Sequence, residues 1–421
     1  MAGLPDTERG PDGRIHQLDL DLSGQCLEGV TFTDVTFAGE THFDRCTFTG
    51  ETRFENCAFT GYVSFVGATA DRLVFRDCRF GHIVNLGETA FAELSVRRSE
   101  FDAAVELELS GAVDIHLTTF AGRSRLTGAP RSLELRRVAF RSGARLVLGG
   151  SDVTLYDVEL GAPSSLGSLD RNRPVVRHVV GTDLAPLRVY DTDLSRCTFV
   201  GAHNLDGLGV ESLDAFSWAP RGPLTRRRVV WDEVRLRAEP EPGHRGWREL
   251  AGTARPGPGP AQVAADYRAL RKARENAKDE PGAADFYYGE MEMRRMARHR
   301  DMRAALGSRR WGEWAMAATE HTLLWLYWAV SGYGLRAWRA LAALVVVVLG
   351  AAVVFRYAGF PGDTHTYAAS LRFSVQSAMS LLRGTDEALT PTGEWVALAL
   401  RLLGPLLAGL ALLALRGRVR R

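Results

Sequence analysis

From residue 30 to residue 160, apolar or small side chains fall at n, n+2, n+5 and n+7, with polar residues between them. The pattern runs Val30, Phe32, Val35, Phe37, then Thr41, Phe43, Cys46, Phe48, then Thr52, Phe54, Cys57, Phe59. It continues at Leu73, Phe75, Cys78, Phe80 and at Leu94, Val96, Ser99, Phe101. Later copies are Val113, Ile115, Thr118, Phe120, then Leu133, Leu135, Val138, Phe140, then Val153, Leu155, Val158, Leu160. A period of five belongs to neither a helix nor an ordinary strand. It predicts a chain that turns a corner every five residues, four corners closing one square coil of about 20 residues, with coils stacked at about 4.8 Å. The large residue at the centre of each five points inward. The residue two before it sits at a corner where only a small side chain fits, which accounts for Cys46, Cys57, Cys78, Ser99 and Thr118.

The remainder of the chain reads differently. Residues 1–24 are expected as a loose lead-in, and 25–215 as the β-solenoid, with the register lost from Pro163 to Arg173. Residues 216–260 combine an end cover, including Trp218 and Trp231, with a linker. Its Glu239–Gly243 and Arg255–Pro260 runs oppose helix and sheet. A helical hairpin follows over 261–306, broken at Pro281-Gly282. Residues 311–333 hold many aromatics beside Glu313, Glu320 and His321, which predicts a helix at a membrane interface. Residues 337–357 and 395–415 are apolar enough to span a bilayer, with Arg339 snorkelling in the first and Arg401 and Gly404-Pro405 inside the second. Between them, 367–383 is too short and polar for a crossing and is expected as a re-entrant or surface helix. The tail 416–421 is basic.

The five-residue unit resembles the pentapeptide repeat family. Its purest copies are Thr192-Asp193-Leu194 and Cys197-Thr198-Phe199. The resemblance implies a right-handed quadrilateral β-solenoid that is non-catalytic and serves as a rigid interaction surface. Tyr267-x-x-Leu270-Arg271 with the Phe286–Arg295 run resembles a block that joins such repeats to membrane segments in some bacterial proteins. Two spans around a short helix resemble the pore unit of potassium-type channels. In that resemblance the filter falls on Ser380–Asp386, with Ser380, Arg383, Gly384 and Asp386 as candidate pore-loop positions. Arg383 stands where a filter glycine is needed, so potassium selectivity is not expected. Gly332-Tyr333-Gly334 is similar to a filter fragment but precedes the first span.

Charge adds orientation. Residues 14–215 carry 28 Asp/Glu against 20 Arg, whereas nine Arg lie between 294 and 339. The positive-inside rule then places both termini in the cytoplasm, on a bacterial cell membrane crossed twice. Residues 1–14 lack an apolar leader stretch, so a cleaved signal is not expected. The near-exclusive use of arginine points to a GC-rich, actinobacterial-like source. The five cysteines, all in the repeats, read as free thiols in a reducing compartment. Spacings of 11 and 21 between Cys46, Cys57 and Cys78 fit no zinc pattern.

No nucleotide loop, zinc-protease or serine-hydrolase motif is found, and His42, His82, His116, His178 and His203 are scattered, so no catalytic, cofactor or metal site is expected. The cluster Asp285, Glu290 and Glu292 could suggest acid chemistry or a metal, but it reads better as charges on the helix surface, with Glu290 and Arg294 an i,i+4 pair and Arg295 nearby. The expected partners are the lipid bilayer, a protein on the solenoid surface and a second copy through the membrane helices. A gated ion pore is the alternative function. Mimicry of DNA toward a topoisomerase is a further one, which the nearly balanced charge opposes, as it opposes nucleic-acid binding.

Overall fold

A computed structural model describes residues 7–9, 15–199, 201–220, 227–238, 245–252, 257–361, 366–379 and 388–419. The chain divides into two compact units, Met1–Tyr287 and Tyr288–Arg421.

The first unit is built on a parallel β-solenoid of about nine turns. Each circuit visits three sheets in a fixed order. The first sheet stacks Ile15–Gln17, Val35–Phe37, Ala58–Phe59, Arg79–Phe80, Glu100–Phe101, Thr119–Phe120, Ala139–Phe140 and Glu159–Leu160, with Thr7–Arg9 antiparallel on its outer end. The second sheet runs in ten strands from Leu20–Asp21 to Gly209–Val210, and the third from Cys26–Glu28 to Val175–Val180. The four expected sides map onto these three sheets because early strands of the third are long. Thr69–Arg76 pairs with Thr47–Glu55 across a register shift between Ala70 and Arg72, so one bent strand serves two sides.

The inward column follows the five-residue pattern. Phe32, Phe43, Phe54, Phe75, Phe80, Phe101, Phe120 and Phe140 are all buried. In-register pairing places Phe59, Phe80, Phe101, Phe120 and Phe140 directly above one another. Their rings stack at centroid distances of 4.5–4.9 Å, close to the rise between paired strands.

The corner residues do more than fit. Cys46 Sγ donates to Leu22 O at 2.9 Å, Cys57 to Phe32 O at 3.5 Å and Cys78 to Phe54 O at 3.3 Å. Ser99 and Thr118 donate to Arg97 O and His116 O. A small side chain that also carries a donor satisfies a buried carbonyl at the corner. A second corner column holds Asp34, Asn56, Asp77, Arg98, Leu117, Arg137 and Asp157, all with φ between 50° and 59°. Their N–H groups continue the ladder, Leu117 to Arg136 O and Arg137 to Tyr156 O among them.

Three boundaries differ from the sequence reading. Ile15–Gln17 already pairs in parallel with Val35–Phe37, so the solenoid starts inside the stretch 1–24 expected as a lead-in. Ser164–Ser168 keeps register with Arg145–Leu148 and Leu187–Val189, so Pro163–Arg173 loses register only after Ser168. The expected linker contains a short helix. After the solenoid, a hairpin of Ser217–Trp218 and Arg228–Val229 leads to helices α1 (Trp231–Arg237), α2 (Arg245–Ala251) and α3 (Pro260–Asn276). Helix α2 forms because Ala251, with the partly buried Trp247 and Leu250, packs on Val229, Trp231 and Val234; tertiary burial outweighs the flanking Pro/Gly runs.

Helix α4 (Glu280–Gly307) starts with Pro281 in its first turn, where a missing N–H costs nothing, so Pro281-Gly282 opens that helix rather than lying between two. The second unit continues with α5 (Trp311–Ser331), α6 (Ala337–Val354), α7 (Tyr367–Met379) and α8 (Pro391–Val419). A π-helical turn, Phe355–Gly359, extends α6. Helix α8 exceeds the expected 395–415 at both ends and runs unbroken through Gly404-Pro405.

Candidate functional site

The most polar buried region of the first unit closes the end of the solenoid. Asp232 in α1 accepts a hydrogen bond from the Phe199 N–H at 3.0 Å, which satisfies a donor on the last coil. Next to it, Arg227 Nη2 donates to both Glu233 carboxylate oxygens at 2.6 and 2.8 Å while its Nη1 reaches the Tyr267 hydroxyl at 3.3 Å, and Glu233 also accepts from Arg237 Nε and from the Tyr267 hydroxyl. Burial pushes the Glu233 carboxyl up, but Arg227 and Arg237 outweigh it and hold it below its ordinary value. Tyr267 is raised, first by burial and then by the Glu233 charge. Arg274 donates to the Val210 and Ser212 carbonyls, and Arg228 lies 3.7 Å over the Trp218 ring.

This gives Tyr267-x-x-Leu270-Arg271 its physical content: Tyr267 and Leu270 are fully buried under the closure. Asp285 accepts from the Arg228 N–H. Asp266 is the strained member. It is 7% exposed, its Oδ2 has no hydrogen-bond partner, and burial with the nearby Asp232 charge pushes it up to about 7. The closure shields backbone and core.

In the second unit, Glu290 pairs with Arg294 at 2.7 Å, the expected i,i+4 pair, and Glu292 pairs with Arg295 at 3.1 Å. Both carboxylates are buried rather than on the helix surface, because the Tyr333 hydroxyl donates to Glu292 at 3.0 Å and tertiary packing covers them. Gly332, Tyr333 and Gly334 all have positive φ and form the turn from α5 to α6. The filter-like triplet is thus a left-handed turn, where two glycines are conformationally required.

Helices α6, α7 and α8 pack through Ala351, Phe355, Phe373, Ala378, Ala397 and Leu400. Phe355 and Phe373 meet edge to face at 4.9 Å. Helix α7 turns Ser370, Phe373, Ser374, Ser377 and Ala378 inward. Gly404 lies against the Ala378 carbonyl so closely that a Cβ there would collide with it, a small-residue contact typical of membrane packing. A cleft of about 570 Å³ opens beside this contact, lined by Leu344, Val348, Val375, Met379 and Pro405 among others. The candidate pore-loop positions Ser380, Arg383, Gly384 and Asp386 lie outside the described residues.

Ala337–Gly359 and Pro391–Ala414 are long and apolar enough to cross a membrane. Their apolar windows are only 28% buried, whereas a core helix of a water-soluble domain would be mostly covered. Val346 is 67% and Leu402 65% exposed.

The outward faces of the solenoid are its other candidate surface. On the third sheet, arginines and carboxylates interleave: Arg72 bridges Glu51 at 3.3 Å and Glu93 at 3.2 Å, Arg97 meets Asp114 and Arg177 meets Asp152. A shallow groove of about 380 Å³ runs along it over Ala112 and Ser132.

The family model for pentapeptide repeats, in 9 copies, matches residues 32–79. No curated protein and no solved structure matches the chain. The matched stretch covers the early coils. Beyond it the coil contracts: Phe80 to Phe101 spans 21 residues, but Phe101 to Phe120 spans 19. Sequence reading missed the Arg227–Glu233–Tyr267 network. The only available signal was an unusual run, Arg226–Arg228, beside Trp231-Asp232-Glu233.

Proposed function

We propose that this protein is a membrane-anchored, non-catalytic scaffold whose β-solenoid presents a rigid binding surface at the cytoplasmic face of a bacterial membrane. One observation carries the reading: α6 and α8 leave most of their aliphatic side chains unburied, and only lipid would cover them without a large hydrophobic cost. Helix α5, with Trp311, Met316, Leu323 and Trp325 exposed, suits the headgroup region. The charge asymmetry supports both termini on the cytoplasmic side. Alkaline extraction and protease protection of the full chain test this. The protein should stay with the membrane, and a cysteine replacing the exposed Thr366 should react with an impermeant thiol reagent from outside intact cells. Release into the alkaline supernatant, or labelling of the C-terminus from outside, would overturn it.

A second reading is an ion pore. Helix α7, 13 residues long and too short to cross, packs against both spans, which is the layout a pore unit needs. Ion flux through proteoliposomes distinguishes the two: a scaffold gives none above empty vesicles.

A further inference from the structure

We propose that the outer face of the second sheet, in its later coils, is a docking surface for anionic lipid headgroups; this rests on the membrane reading above. Its outward column reads Glu106, Arg125, Arg145, Ser165, Arg188 in consecutive register. Arg125 and Arg145 are direct neighbours, about 4.8 Å apart along the stack. Like charges placed opposite one another on a sheet destabilise it. On the third sheet the same problem is solved by alternation, Glu51, Arg72, Glu93. Here it is not solved. Arg125 reaches Glu106 at 3.5 Å, with both side chains more than half exposed. Arg145, Arg188 and the neighbouring Arg123 are exposed and make no ion pair among the described residues.

Two further features fit a binding face. The Arg188 side chain lies over Gly209 on the next rung, where a Cβ would displace its guanidinium. The adjoining outward positions Thr127, Val147 and Gly167 are small and uncharged, so the arginines stand above a flat floor. Residues 121–188 hold eleven Arg against six Asp/Glu, whereas residues 14–120 hold eight against 17. An extended polyanion would meet the acidic early coils, while a planar headgroup layer need touch only this face.

The test places the full chain in nanodiscs of neutral phosphatidylcholine or of phosphatidylcholine with phosphatidylserine. Ser165→Cys reports on the face through its rate of labelling by an uncharged maleimide, and the exposed Cys26 is the internal reference. The expected result is labelling of position 165 slowed on the order of tenfold in anionic discs, with Cys26 unchanged. The slowing should vanish at about 0.5 M salt and in the Arg145→Glu/Arg188→Glu variant, whose circular dichroism should match the parent. Equal rates in both discs, or slowing that survives charge reversal, would overturn the proposal. Protection by duplex DNA but not by lipid would overturn it in favour of nucleic acid. If the chain does not enter nanodiscs, the membrane reading fails separately. Sedimentation of the soluble chain with phosphatidylserine vesicles then decides the face: binding lost on charge reversal supports it, and no binding overturns it.

Discussion

The Phe80 and Phe101 rings lie face to face, 4.5 Å apart and 8° from parallel, one coil above the other. Each coil therefore rests on the ring of the one before. Phe80→Ala removes a rung from the middle of the stack and should destabilise the solenoid by about 3–5 kcal/mol. Phe140→Leu should cost less than about 1.5 kcal/mol, because the next rung is already Leu160. Urea unfolding followed by the β-sheet circular dichroism signal compares the two.

Leu117 occupies the left-handed corner at φ 52° and is 42% exposed. Its column neighbours include Asp77, Asn56 and Asp157, whose side chains tolerate that region better. Leu117→Gly should stabilise the solenoid by about 1 kcal/mol, since the strain removed exceeds the added unfolded-state entropy. A lower melting temperature for this variant would show that Leu117 makes contacts worth more than its backbone costs.

The closure should weaken as pH rises. Asp266 is pushed from 3.8 up to about 7, so the folded state holds its proton more tightly than the unfolded chain. That contribution is full below pH 3.8 and is lost as pH climbs through about 7. Asp266→Asn keeps an acceptor for the Gln262 amide and removes the titration. Thermal unfolding should find the variant level with the parent near the acid end of the range, and more stable at pH 8 by on the order of 2 kcal/mol.

Gly404 and Gly409 differ only in what surrounds them. Gly404 abuts the Ala378 carbonyl, whereas a side chain at Gly409 would meet nothing within 4 Å of its Cβ. Gly404→Leu should separate α7 from α8 at a cost of about 1–3 kcal/mol, while Gly409→Leu should be silent. The monodisperse fraction in detergent after mild heating measures both.

Much of this architecture was written in local pattern. The inward phenylalanines, the small corner residues and the two apolar stretches each depend on residues within a few positions of one another, so their spacing along the chain is enough. Other features depend on sums. Whether Arg72 meets Glu51 and Glu93, or Arg125 meets Arg145, is set by coil lengths that vary from 19 residues to over 20, and one residue gained or lost turns a side chain to the opposite face. The closure is farther still from local pattern. Arg227, Glu233 and Tyr267 are meaningful only once α1 and α3 lie on the last coil, where burial turns three ordinary polar residues into one charge network. Glu290 and Glu292 read as surface charges along the helix, and packing put them inside. The sequence determined the coil, its core and the two long apolar helices. Only the tertiary structure decided which charges are paired, which are buried and which face is left with unanswered arginines, because Coulomb energy depends on distance in space and local dielectric rather than on separation along the chain.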